Sequence, residues 1–133
     1  MANLTIAAAD VAPIRSQRQV TAPAAEAISA GQWVRYDTTT GKLALGNGTD
    51  AAESRDGFLA LRTVIANESL TAVGEGSLVD VGDALDALTY DDDVFLSDTD
   101  GTLADSAGTV SKIVARVAPA WSSLTADKIL ELV

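Results

Sequence analysis

The sequence predicts a mainly β, single-domain protein: a small barrel or sandwich of hairpins, with one short helix and an extended N-terminal arm. Three observations carry this prediction. Residues 27–45, AISAGQWVRYDTTTGKLAL, read as a complete β-hairpin. About sixty residues later the pattern recurs in VFLSDTDGTLA, residues 94–104. The chain has 133 residues and no cysteine, enough to bury one core without cross-links.

Taken in order, residues 1–25 differ from the remainder. They are Ala-rich, contain Pro13 and Pro23, and carry Arg15 and Arg18 against Asp10 alone. Their net charge is +1, which leaves −11 of the total −10 on residues 26–133, the expected β-rich body. Prolines and weak periodicity point to an extended arm. On it Val11, Ile14 and Val20 are spaced apolar anchors, and Arg15 and Arg18 supply the local positive charge. In the hairpin that follows, alternation sets Val34 and Tyr36 on one face and Trp33 and Arg35 on the other. Asp and Gly in the turn are favoured for backbone reasons. Aligned on the turn, YDTTTGKLA and SDTDGTLA share Asp-Thr, Gly, Leu and Ala with one residue deleted.

Each copy leads to a longer apolar strand, residues 58–65 and 110–117, with Leu59, Leu61 and Ile65 expected on one face of the first. The chain is thus two strand-turn-strand-strand units, too few for a solenoid and suited to a barrel or sandwich. Residues 46–56 read as a loop, 70–73 as a weak strand and 77–81 as an edge strand. Residues 83–88 suit the short helix, with Asp83 as cap and Leu85 and Leu88 at i, i+3. Residues 128–133 form a last strand.

Composition narrows function. Without His or Cys the chain lacks the usual general base, thiolate chemistry and the commonest metal ligands, so no metal or other cofactor is expected. Nineteen acidic against nine basic residues disfavour nucleic acid and anionic membrane as partners. No apolar run approaches a membrane span and no signal peptide is evident, so synthesis in the cytoplasm is expected.

Residues 94–103, VFLSDTDGTL, resemble motif I of the haloacid dehalogenase-like phosphatases, which would make Asp98 the nucleophile and Asp100 the acid/base beside magnesium. That motif opens a doubly wound α/β domain, and only 32 residues follow Gly101. The repeat offers a structural account instead, a hairpin turn, so the chain is not expected to be an enzyme. Residues 80–105 hold nine acidic residues and no Lys or Arg. Asp98, Asp100 and Asp105 could converge on calcium, but the spacing misses the EF-hand pattern and a solvated acidic face is the expectation. Trp33 and Trp121 are core residues or, since Trp is enriched at hot spots, anchors of an oligomer interface.

The arm, the first hairpin with Tyr36-Asp37 and Lys42-Leu43, the Gly57-Phe58-Leu59-Ala60 strand, GEGSLVDVG and LSDTDGTLAD together resemble the decoration, or cement, proteins of tailed-phage heads, of the lambda type. Tyr36 stands where that pattern has Leu, and the second hairpin unit departs from it. The resemblance implies a β-tulip-like body, a homotrimer on the outer surface of the virion, and a major capsid protein as partner. The anchors on it would be Val11, Ile14, Arg15, Arg18 and Val20. Another phage structural module, of tail or fibre, is the further alternative.

Overall fold

The computed structural model describes residues 2–120 and 128–133. Among them lie strands β1 (Val11–Arg15), β2 (Gln19–Pro23), β3 (Trp33–Tyr36), β4 (Leu43–Leu45), β5 (Phe58–Ala60), β6 (Ser69–Val73), β7 (Leu78–Val81), β8 (Asp93–Leu96), β9 (Leu103–Ala104), β10 (Ile113–Pro119) and β11 (Lys128–Leu132). They form two sheets, ordered β1-β7-β11-β10-β8-β9 and β2-β6-β5-β3-β4. All strand pairs are antiparallel, and the sheets pack as a sandwich rather than a closed barrel.

Strand alternation builds two cores. Between the sheets, Trp33, Leu59 and Val73 of the smaller sheet meet Val79, Val94, Leu96, Leu103, Val117 and Leu130 of the larger. The smaller sheet's opposite face presents Val34, Leu43, Phe58, Ala60, Leu70 and Ala72, and Ala24, Ile28 and Val64 cover it. Bridges Ala24↔Leu43 and Ile28↔Val64 hold that cover in place. Val34 and Trp33 thus point to opposite faces, as alternation requires.

The two units correspond more closely than their sequences suggest. The sheet orders β2-β6-β5-β3-β4 and β7-β11-β10-β8-β9 are one pattern displaced by five strands. Tyr36 pairs with Leu43 and Leu96 with Leu103, so both hairpins have the same length at an offset of 60 and no residue is deleted. Ser97, not Asp98, therefore stands opposite Asp37. Its hydroxyl accepts the Thr99 N–H (3.1 Å) as the Asp37 carboxylate accepts that of Thr39 (2.8 Å). Gly41 and Gly101 both have positive φ, 71° and 66°. The turns before the hairpins match too. The Ser29 and Thr89 N–H groups donate to the side chains of Gln32 and Asp92, and Gly31 and Asp91 share positive φ, 90° and 66°. The units interlock where Gly101 inserts: Trp33 N–H donates to Gly101 O (2.9 Å) and Gly101 N–H to Gly46 O (2.7 Å).

Residues 11–23 do not stand off the body. β1 joins the larger sheet through β7, and β2 joins the smaller through β6, so 11–23 runs beside 69–81 as one long ribbon crossing from sheet to sheet. Arg15 donates to Gly76 O (3.0 Å) and Gly74 N–H to Arg18 O (2.6 Å) at the crossing. Pro13 and Pro23 sit where strands tolerate proline, each on an outermost strand of its sheet. Further upstream, Asn3 bridges Ala104 and Leu4 N–H donates to Leu103 O (2.8 Å), which covers the β9 edge.

Other expectations shift locally. Residues 83–88 form successive turns, Asp86 N–H to Asp83 O and Leu88 N–H to Leu85 O, and bury Leu85 and Leu88 without a helix. The helical turn found among the described residues is a 3-10 segment, Ala8–Asp10. β5 ends at Ala60 and the chain bends at Arg62; Val64 stays on the second-core face with Phe58 and Ala60, while Ile65, beyond Leu61 on the other face, is 66% exposed. β7, expected at an edge, lies between β1 and β11.

Candidate interaction surface

The ribbon crossing puts Arg18 beside β5, where its guanidinium lies over the Phe58 ring, 4.9 Å from the centroid. Tyr36 meets the same ring edge-on at 5.8 Å and is 43% exposed. The stack follows from register, since Val34↔Phe58 pairing places Tyr36 and Phe58 on one face. Such cation–π and edge contacts each contribute about 0.5–1.5 kcal/mol.

Two adjoining hollows flank this stack. One, of about 260 Å³, is lined by Arg18, Trp33, Asp56, Lys112, Ile113 and Val133, among others. The other is lined by Tyr36, Ser54, Arg55, Asp56 and Lys112. Lys112 is ion-paired with Asp56, and that hydrogen bond and charge hold the Asp56 carboxyl below its ordinary value. Arg35, largely buried, pairs with Glu53 at 2.6 Å and fixes the loop that carries Ser54, Arg55 and Asp56. Arg18 and Arg55 form no salt bridge among the described residues. Exposed Tyr36, Ile113 and Val133 thus gather around Arg18, Arg55 and Lys112, with Asp56 and Glu75 among them, on a chain of net charge −10.

The sequence-predicted residues disperse. Arg18 and Trp33 meet at the first hollow, but Trp33 is only 3% exposed, within the inter-sheet core, and presents no surface to a second copy. Its Nε1 has no hydrogen-bond partner. Trp121 lies outside the described residues. Val11 and Val20, expected as anchors on a free arm, pack against the protein's own cores, Ile14 is half-buried, and Arg15 is tied to Gly76. Phe58 belonged to an expected strand, whereas Arg55 and Lys112 carried no local signal, because only the fold brings 18, 55–58 and 112 together.

The acidic motif does structural work. Asp98 accepts the Thr109 N–H and hydroxyl, both at 2.8 Å, Asp100 accepts from Asn47 (2.6 Å), and Asp105 accepts the Ala2 N–H (2.9 Å). Each carboxylate closes a different loop, and β8-turn-β9 is a hairpin rather than the strand-to-helix opening of a doubly wound domain. Among the described residues, no three metal-ligating side chains converge. Comparison with known proteins adds no relative: no family model, curated protein or solved structure matches the chain.

Proposed function

We propose that the protein is a phage capsid decoration, or cement, protein, made in the host cytoplasm and bound as a homotrimer to the major capsid protein on the outer surface of the head. The observation that carries this reading is exposed Tyr36 beside Arg18, stacked over buried Phe58, and Arg55: a patch where Arg18, Arg55 and Lys112 outnumber Asp56 and Glu75 on an otherwise acidic β-sandwich. Tyr and Arg dominate binding hot spots, and the opposite charge of a capsid carboxylate surface complements them. The sequence resemblance supplies the head as the target. In this form of the proposal the body carries the contact, with Arg18 retained from the expected anchors and Val11, Ile14 and Val20 reassigned to packing. The engagement of Asp98 and Asp100 in loop closure favours this reading over the phosphatase.

Purified protein mixed with expanded heads should co-sediment and add density at three-fold positions in an electron-microscopy reconstruction. The double variant Arg18→Glu/Arg55→Glu should keep its circular dichroism and lose head binding by at least about tenfold, a change of about 1.4 kcal/mol. Absence of head density with the parent protein overturns the reading, and density on tails instead favours the tail or fibre alternative.

A further inference from the structure

The displaced strand pattern exposes an asymmetry between the units. β2 and β7 occupy equivalent places, yet β7 is covered on its outer side by β1 whereas β2 is the last strand of its sheet. The hydrogen-bonding parity of β2 is set by its ends: Gly74 N–H donates to Arg18 O (2.6 Å) and Ala24 N–H to Glu68 O (2.9 Å). Even-numbered residues therefore bond β6, and Gln19, Thr21 and Pro23 turn their backbone groups outward. These three are exposed, while Val20 and Ala22 are half-buried at the rim of the second core.

We infer that β2 is a dimerisation edge, at which β2 of a second copy adds antiparallel about a two-fold axis through Thr21. The strand is self-complementary in that register. Thr21 exchanges both backbone bonds with its counterpart, and Gln19 N–H donates to the counterpart of Pro23 O. All outward N–H groups of β2 are thereby satisfied, because Pro23 has none to offer. Its proline, which blocks many other registers, fits this one. Val20 falls opposite the second copy's Ala22, apolar against apolar, and QVTAP contains no charge. An edge without charge is the kind that natural sheets ordinarily protect. The two smaller sheets would become one continuous sheet.

A five-residue ladder buries less than the roughly 1,200–2,000 Å² of a stable interface, so the contact is weak and becomes strong only when copies are held side by side. Mutual repulsion of two chains of charge −10 makes it stronger as salt rises. The inference stands apart from the capsid reading, since its test needs no heads. Within that reading it links neighbouring trimers rather than the copies inside one.

The test is the full chain at about 1 mM in 0.5 M salt, followed by light scattering and amide hydrogen exchange. An even-numbered assembly is expected, a dimer or a hexamer of linked trimers, with the Gln19 and Thr21 amides exchanging at least about tenfold more slowly than at 20 µM. Thr21→Pro removes the central donor and leaves every backbone bond to β6 in place, losing on that side the exposed Thr21–Thr71 hydroxyl bond (3.0 Å) alone. Thr21→Glu sets like charges across the axis and serves if the proline variant misfolds. Either should halve the mass and restore fast exchange at Gln19. A protein that remains monomeric or purely trimeric overturns the inference. So does an even assembly whose mass survives Thr21→Glu, since it uses another surface.

Discussion

Gly41 and Gly101 offer a matched pair of substitutions at equivalent points of the two units. Both have positive φ, 71° and 66°, so alanine at either carries the left-handed penalty of about 1–2 kcal/mol. Their surroundings differ. A Cβ on Gly41 meets nothing within 4 Å, whereas one on Gly101 lies 2.7 Å from Leu45 Cδ2 and 3.2 Å from Gln32 Cβ. Leu45 is half-buried and can turn away, but the Gln32 Cβ belongs to the backbone frame, so overpacking adds about 1–2 kcal/mol at Gly101 alone. In urea unfolding, Gly41→Ala should therefore cost about 1–2 kcal/mol and Gly101→Ala about 2–4. The difference corresponds to about 3–10 °C in Tm for a chain of this length. Gly41→Asn should be close to neutral, because Asn tolerates this region. Equal costs for the two alanine variants, or a larger one at Gly41, would refute the interlocking of the units at Gly101.

Deleting residues 2–23 should abolish the cooperative thermal transition and promote aggregation, since it strips β1 and β2 from both sheets; a body that still melts cooperatively near the parent Tm would contradict the ribbon. Asp98→Asn should lose about 1 kcal/mol through its weakened hold on Thr109 and leave head binding unchanged. Magnesium-dependent phosphatase turnover in the parent that vanishes in this variant would restore the catalytic reading. The Thr39 N–H bond, above all, holds the Asp37 carboxyl below its ordinary 3.8. A lowered folded value means that its contribution is fully present above about pH 4 and is lost as the pH falls through the folded value. The stability difference between parent and Asp37→Asn, measured by denaturant titration, should be constant from pH 8 to 5 and close below about pH 4.

The first hairpin was legible because Trp33 to Tyr36, the Asp-to-Gly turn and the return strand are local and their chemistry is specific. The repeat was legible only in part. Matching Asp37 to Asp98 by letter requires a one-residue gap that the equal hairpins do not contain, because the fold needs only an acceptor that can reach two residues ahead. Ser97 meets that need. The turns at Ser29 and Thr89 could not be matched by letter, since Gly31 and Asp91 share a backbone conformation and no side-chain chemistry. Pro13 and Pro23 mark a strand's position as much as its absence, and which of these applies depends on β6 and β7, about 50 to 70 residues away. The grouping of Arg18, Arg55 and Lys112 is equally non-local. Leu85 and Leu88 lie on one side of a 3-10-like turn as they would on a helix, so spacing alone could not separate the two.

The sheet-crossing ribbon also bears on how the chain is made. A polypeptide emerging N-terminus first possesses every strand of the smaller sheet once Val73 has been synthesised. β1 must wait for its own sheet, because Val11 pairs with Val81, 70 residues later. Closing so long a loop is slow relative to forming a hairpin. During that interval β1 lacks its sheet partner, while β2 already has β6. The ribbon therefore ties the docking of β1 to the completion of β7.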